Sequence, residues 1–469
     1  MVGCKYSDIQ IMLSAFNISG NELDVILAYG HEPDYSGEEW KNEYSNPIDL
    51  VQSLTVSGGP LDPFEKVTLK VSKKNLSTIY PQFSVYSNEL VTTGTSTYSD
   101  NLYMPIAGKS RIRFKLYSDR ELSYVVTAAK LNGGTYTFTA YCEAEKYRGT
   151  AMNPGDNYES AWGAIESILV NGAYQFDLSD VITNIISNED DPGYNDFKCE
   201  NLRFTEKTTQ WAALQICAYI LKARIFFSGG KVYVINYTTL NKCAKDSMDI
   251  PLLEASNRAY TAHDDSWVSI NPTPDELSLD LTTTEPDHTF CGRVSGSVEL
   301  GNEGYNTVVN VVSTKIEGDD TDRDYEFKDS SSIGIVGPVV ENYNLSWYIP
   351  VDLLKNTQLR KKFAEGILAY KAEPMESIGF TLVEKDVSAG ELQWTPIIPT
   401  VAYANQITDY EDDAAVSSVS LISKEIKPEK LSLSSYTRKY PNYITEYWFG
   451  IADNIDLASS TSHILSRLG

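Results

Sequence analysis

Across residues 7–142 the chain is a succession of short β-branched runs separated by turns, and no helical period is sustained there. A stretch of that kind buries its apolar side chains by pairing strands. The runs are 7–14 (SDIQIMLS), 22–29 (ELDVILAY), 50–57 (LVQSLTVS) and 66–71 (KVTLKV), followed by 111–117 (RIRFKLY), 123–128 and 135–142 (TYTFTAYC). Gly58-Gly59-Pro60 and Gly30-His31-Glu32-Pro33 read as turns or loops. Residues 88–105, rich in Ser, Thr and Asn, read as a surface loop.

Beyond residue 150 the pattern changes. Residues 160–170 and 178–186 read as short helices. Thr209 can cap a helix over 210–223, because its hydroxyl can accept an orphan N–H. Trp211, Leu214, Ala218 and Leu221 then share one helical face. RIFF at 224–227, Ser228-Gly229-Gly230 and KVYVINY at 231–237 predict a hairpin, since glycine accepts the positive φ of a tight turn. Residues 241–300 are polar and irregular, with a proline-rich patch at Asn271-Pro272-Thr273-Pro274. A strand is expected at 307–314, an acidic loop at 317–326, and the longest helix at 357–370, with Leu359, Phe363, Ile367 and Tyr370 on one face. Gly366 inside that helix costs about 1 kcal/mol relative to alanine. Strands are expected again at 378–383, 400–405, 416–423 and 430–436.

The chain has 469 residues, which is long for one core, and roughly three domains is the expectation. The divisions suggested are a β domain at 1–150, a helix-hairpin α+β domain at 151–245, a second β domain at 246–439 that includes the helix 357–370, and an aromatic, then polar, C-terminal extension at 440–469. The fold class is mostly β with minor α. Hydrophobic residues at 42% and charged residues at 22% describe a folded protein. Lys and Arg number 39 against 64 Asp and Glu, a net charge of −25. That balance argues against a nucleic-acid binder, which replaces phosphate counterions with Lys and Arg. The 31 tyrosines and 7 tryptophans suit either a β-rich body or a glycan-facing surface.

The N-terminal text MVGCKYSDIQIMLSAF lacks the basic and apolar regions of a signal peptide, and Val2-Gly3-Cys4 follows no hydrophobic segment. No run of about 18 apolar residues occurs, so no membrane insertion is expected. Cysteines 4, 142, 199, 217, 243 and 291 are scattered without a C-x-x-C, and Cys217 reads as a small core residue in a chain folded in a reducing cytoplasm.

Candidate chemistry is sparse. Asp320-Thr321-Asp322-Arg323-Asp324 imitates the start of a calcium loop, but Tyr325 stands at the sixth position and Ser331 at the twelfth, so a solvated loop is expected. Glu411-Asp412-Asp413 reads as an acidic hairpin tip. Gly108-Lys109-Ser110 ends like a phosphate-binding loop, but Tyr103 occupies the place of its first glycine. No G-x-S-x-G is present. His31, His263, His288 and His463 lack zinc spacing, and His288 with Cys291 is half a site. No catalytic, cofactor-binding or metal-ligating residue is nominated, and no enzyme and no cofactor are expected. A glycan-binding module or a glycosidase remains the rival reading, because a glycosidase needs only two suitably spaced carboxylates.

Three segments together resemble the phage tail hub family, which includes baseplate hubs and the N-terminal region of tail-associated lysins. The first is TTQWAALQICAYILKARIFFSGGKVYVINY (208–237), a helix leading into strand, glycine turn and strand. The second is NTVVNVVS (306–313) with KDSSSIGIVGPVV (328–340), a strand with a central Asn followed by Asp, Ser-Ile and Gly before an extended segment. The third is TQLRKKFAEGILAYKAEPMESIGFTLVEK (357–385), followed by the strands around 416–436. Gln393-Trp394-Thr395-Pro396 departs from the Pro-Gly-Asp turn frequent in the family.

The resemblance implies two tube-like β-barrel or sandwich domains per chain, so that a ring-forming homotrimer matches a sixfold tail tube. It implies a structural role at the virion tail tip, assembled in the host bacterial cytoplasm. The implied partners are distal tail or tail-tube proteins, a central spike or fibre, and the tape-measure protein, with DNA crossing the lumen without specific binding. A carboxylate-lined wall would repel that DNA. Lytic activity is expected to be absent from this chain.

Overall fold

Strand Asp62–Ser72 organises the molecule, because its two faces serve different cores. Side chains alternate along a strand. Val67, Leu69 and Val71 therefore enter one buried cluster, while Phe64, in the opposite phase, enters another. The strand pairs antiparallel with Val51–Gly59 on one side and Thr135–Cys142 on the other. The computed structural model describes residues 5–6, 10–28, 50–83, 102–115, 121–191, 193–236, 238, 268–270, 299–302, 308–316, 325–372, 376–383, 391–392, 401–404, 429–442 and 444–450. Within them the chain is mostly β with a few helices, an α+β class as expected.

The main path of the large sheet runs from Glu299–Asn302 through Glu376–Val383, Ile444–Phe449, Glu429–Tyr440, Val51–Gly59 and Asp62–Ser72. It continues through Thr135–Cys142, Glu121–Asn132, Arg111–Lys115 and Gln10–Phe16 to Glu22–Ala28. Its N-terminal part curls. The Leu50 amide donates to the Leu27 carbonyl at 2.9 Å, so the chain entering Val51–Gly59 meets the last strand of the path. Val25 and Leu27 accordingly share a core with Leu54, Val67, Leu69 and Phe138. Five of the expected N-terminal strands extend or end within a few residues of their sequence limits: Gln10–Phe16, Glu22–Ala28, Val51–Gly59, Arg111–Lys115 and Thr135–Cys142. Asp62–Ser72 and Glu121–Asn132 run longer than expected.

The structure also corrects the sequence reading. A short helix, Lys73–Ile79, lies in the stretch read as helix-free; seven residues are too few for a helical period to show, and the Ser72 hydroxyl caps it by accepting from the Asn75 amide. Residues 178–186 are not a helix. Leu178–Asp180 forms one 3-10 turn, started by the Asp177 carboxylate accepting from the Ser179 amide, and Val181–Thr183 is a strand parallel to Lys231–Ile235. Branching at Cβ stiffens Val181, Ile182 and Thr183, which favours the open side of the hairpin over a helix. The Gly58-Gly59-Pro60 punctuation does mark a turn, at Pro60 and Leu61 between strands Val51–Gly59 and Asp62–Ser72, but it has a second role: Gly59 (φ +120°) is where strand Glu429–Tyr440 passes, and a Cβ there would lie 2.9 Å from the Ser434 carbonyl oxygen. Residues 444–449, read as part of an extension, form strand Ile444–Phe449 between Glu376–Val383 and Glu429–Tyr440. Of the polar stretch 241–300, Val268–Ile270 and the beginning of Glu299–Asn302 are strands.

The second core gathers the helices. Helices Ala161–Asn171, Gln210–Ile220 and Thr357–Lys371 pack with hairpin Arg224–Ser228/Lys231–Ile235, and Phe64 reaches into this cluster from the sheet. Helix Gln210–Ile220 starts as expected, with the Ala212 amide donating to Thr209 Oγ1 at 3.0 Å. It ends three residues before the expected limit, because Lys222 takes φ +54° and Asn236 Nδ2 donates to the Leu221 carbonyl. Only Gln210 and Gln215 on it are not fully buried, so the helix is core on all sides rather than on one face. Gly229 (φ +57°) and Gly230 (φ +72°) form the hairpin turn.

Candidate functional site

Few of the residues weighed for chemistry lie among the described residues. Asp320 to Asp324, Glu411-Asp412-Asp413, all four histidines, and Cys4, Cys243 and Cys291 lie outside the described residues. Gly108-Lys109-Ser110 is a self-satisfied turn: the Gly108 amide donates to the Val126 carbonyl, and the Lys109 and Ser110 amides both donate to the Ile106 carbonyl. Ser110 Oγ accepts from the Ile106 amide, and the Lys109 amine lies 3.8 Å from the centre of the Phe16 ring. The three backbone amides are thus spent on carbonyls and do not form a cradle for phosphate. Among the described residues no group of three or more His, Cys, Asp and Glu side chains could hold a metal ion. Cys199 and Cys217 are buried free thiols, and burial raises both pKa values. No described helix is long and apolar enough to cross a membrane.

Among the described residues, the structure instead brings together parts of the three segments 208–237, 306–340 and 357–385. Strand Val311–Lys315 lies between Tyr325–Lys328 and Val340–Asn344, and Asn310 immediately precedes it. The Asn310 side chain is fully buried and makes three hydrogen bonds. Its Nδ2 donates to Ser332 Oγ at 3.1 Å and to the Gly337 carbonyl at 2.7 Å, while its Oδ1 accepts from the Val339 amide at 2.7 Å. Asp329 caps helix Ser330–Val336 by accepting from the Ser332 amide at 2.9 Å. Ser332 Oγ in turn donates to the Ala372 carbonyl at the end of the long helix. Gly337, at φ +85°, turns the chain into strand Val340–Asn344. The Asn, Asp, Ser and Gly of the second segment are therefore one hydrogen-bonded clasp that anchors the third.

The first and third segments meet helix to helix. Gly366 lies against the backbone of Tyr219, and the Tyr219 and Phe363 rings pack edge to face at 5.9 Å. Tyr370 Oη donates to the Lys222 carbonyl at 2.5 Å, and the Arg224 guanidinium stacks 4.0 Å from the centre of the Tyr370 ring. Removing the clasp has a defined cost. Asn310→Ala strands the Val339 amide, the Gly337 carbonyl and Ser332, and is expected to destabilise this unit by about 1–3 kcal/mol. Urea titration would measure it, and an unchanged midpoint would show the clasp to be dispensable.

A second buried polar node was not found from sequence. Glu65 is 3% exposed and in phase with the core residues Val67, Leu69 and Val71. Its Oε1 accepts from the Tyr124 hydroxyl at 3.0 Å and its Oε2 from the Gly229 amide at 2.5 Å. Tyr436, 1% exposed, shares a hydrogen bond of 2.7 Å with Ser228. Burial raises the Glu65 pKa, opposed in part by the Gly229 amide, the Tyr124 hydroxyl and the Arg438 charge. The sequence signal was an acid at a core-facing position of an alternating strand. So enclosed a carboxyl cannot reach a substrate; it joins three chain segments.

No protein-family model and no curated protein matches this chain. Solved structures that align with it include a tail protein and two prophage tail proteins. The tail protein from Neisseria meningitidis MC58 aligns at 9% identity and TM-score 0.44, covering 94% of this chain and 96% of that one. Prophage tail protein gp18 from Listeria monocytogenes EGD-e aligns at 8% identity and TM-score 0.44, covering 97% and 99%. The 43 kDa tail protein of prophage MuSo2 from Shewanella oneidensis aligns at 8% identity and TM-score 0.42, covering 94% and 97%. Identities and scores of this size leave function to be argued from the chain's own residues.

Proposed function

We propose that this chain is a structural hub subunit at the tip of a bacteriophage tail, closing the tail tube and linking it to a central spike or fibre. The observation that carries this reading is the packing of the three hub-like segments. Their described parts form one unit, held through the Asn310–Asp329–Ser332–Gly337 clasp and the Gly366–Tyr219 crossing. The curl of the N-terminal strands through Leu50 and Leu27 supports a tube-like barrel in residues 1–150. In this reading 246–439 supplies the second tube-like domain, 151–245 braces the two, and 440–469 is a C-terminal extension whose strand Ile444–Phe449 joins the sheet.

Three chains then give six tube-like units around a lumen through which DNA passes without specific binding, beside the tape-measure protein. Closed rings satisfy sheet edges that an open chain of subunits would leave exposed. A net charge of −25 per chain repels neighbours, so moderate salt or tail partners are expected to promote assembly. The test is imaging of the particle. Expected is threefold density for this chain on the tail axis beneath a sixfold tube, and a purified trimer of three times the 52.3 kDa chain mass. A hexamer, a single copy, or a position away from the axis would overturn the hub reading.

A further inference from the structure

Glu65 sits where three parts of the chain meet. Strand Asp62–Ser72 carries it, and Tyr124 approaches it from strand Glu121–Asn132. The Gly229 amide comes from the turn of the helix-hairpin unit, and Tyr436 and Arg438 come from strand Glu429–Tyr440. Cys142, at the end of Thr135–Cys142, is the further titratable group close enough to feel its charge. Strand Val51–Gly59 contributes Gly58 here, whose missing side chain leaves room for the Tyr436 hydroxyl. The C-terminal strand is held at this point by its pairing of Tyr436 with Gly58, by the Leu61 amide donating to the Ser434 carbonyl at 3.0 Å, and by the Tyr436–Ser228 hydrogen bond. A seam between distant segments thus closes over one carboxyl group.

We propose that Glu65 and its hydroxyl partners form a proton-responsive latch, closed while Glu65 carries its proton and loosened when it ionises, that holds strand Glu429–Tyr440 and the Gly229 turn against the N-terminal sheet. With the proton present, the Tyr124–Glu65 hydrogen bond reverses, Glu65 donating to the Tyr124 oxygen while Oε2 still accepts from the Gly229 amide, so no buried charge is left. On ionisation the proton passes to bulk water during a transient opening, and a carboxylate remains in an enclosed site. The neighbouring Tyr124, Tyr436 and Cys142 all stay neutral, since each is pushed to a higher pKa. Among the described residues, the cation acting on the site is Arg438, and its pull on Glu65 is smaller than the burial penalty. Because the folded carboxyl holds its proton more tightly than the unfolded one, the closed form binds more protons across that window. Its stability is complete below the ordinary glutamate range and is lost as pH rises through the elevated value. The latch does not depend on the hub reading.

Hydrogen exchange on the full chain tests it, with each amide corrected for its intrinsic rate. As pH rises from the ordinary glutamate range through the raised value, protection at 434–438 and 228–230 is expected to fall about tenfold for each pH unit, while amides 67–71 hold theirs. Glu65→Gln, which keeps an acceptor for Gly229 and a donor for Tyr124, should make the seam independent of pH. A wild-type seam that stays flat, or an equal loss in Glu65→Gln, would overturn the latch. Should that variant fail to fold, the carbon-13 resonance of the Glu65 carboxyl in the wild-type protein decides. Titration above the ordinary glutamate range supports the proposal, and titration within or below it ends it.

Discussion

Gly366→Ala is expected to destabilise the protein by about 3 kcal/mol or more, the reverse of what its place in a helix suggests. From helix propensity alone alanine should gain about 1 kcal/mol there. The helix crossing decides otherwise. A Cβ built on Gly366 would stand 1.7 Å from the Tyr219 carbonyl oxygen and 2.6 Å from its carbonyl carbon, both backbone atoms of the neighbouring helix. No rotamer relieves a clash with backbone, so the helices must separate. Separation withdraws Phe363 from Tyr219 and Ile367 from the core they share. Thermal melting and urea titration would measure the loss, and a variant as stable as the parent would show that the helices do not cross this closely.

The sequence carried the strands of the N-terminal half well, because their apolar positions alternate and their turns are marked. It carried the Thr209 cap and the Gly229-Gly230 hairpin for the same reason: each is local. What it did not carry is contact between distant segments. Gly58-Gly59 announces the turn that follows but not the passage of strand Glu429–Tyr440 beside it, and Gly366 looks like a weak point until Tyr219 is laid against it. Residues 178–186 showed apolar spacing compatible with a helix, but the open side of Lys231–Ile235 offered a strand partner that the text could not reveal. Asn310 could be seen as a central Asn in a strand-like run, although its three partners lie 22 to 29 residues away. Glu65 gave a signal, a carboxylate in phase with Val67, Leu69 and Val71. It stands one residue before the run 66–71 expected as a strand, so the phase goes unnoticed until Asp62–Ser72 is seen whole.

Trp211→Ala is expected to cost about 3–5 kcal/mol, as truncation of a large core side chain does. Trp211 is 4% exposed and its ring meets Phe64 edge to face at 4.7 Å, with Phe227 at 6.1 Å. Phe64 belongs to the sheet strand and Phe227 to the hairpin, so the indole is the contact through which the helix joins both. The loss should therefore exceed that for an indole packed only within its own unit. Phe64→Ala made alone and together with Trp211→Ala would show it. The pair should couple by about 0.5–1.5 kcal/mol, so that the double variant loses less than the two single losses together. Strict additivity would mean the rings do not depend on each other, and an unchanged melting temperature in Trp211→Ala would place the indole at the surface. A coupled loss, with the N-terminal sheet still protected from hydrogen exchange while the helical unit opens, would locate the weakest joint of the fold at Phe64, where one strand serves two cores.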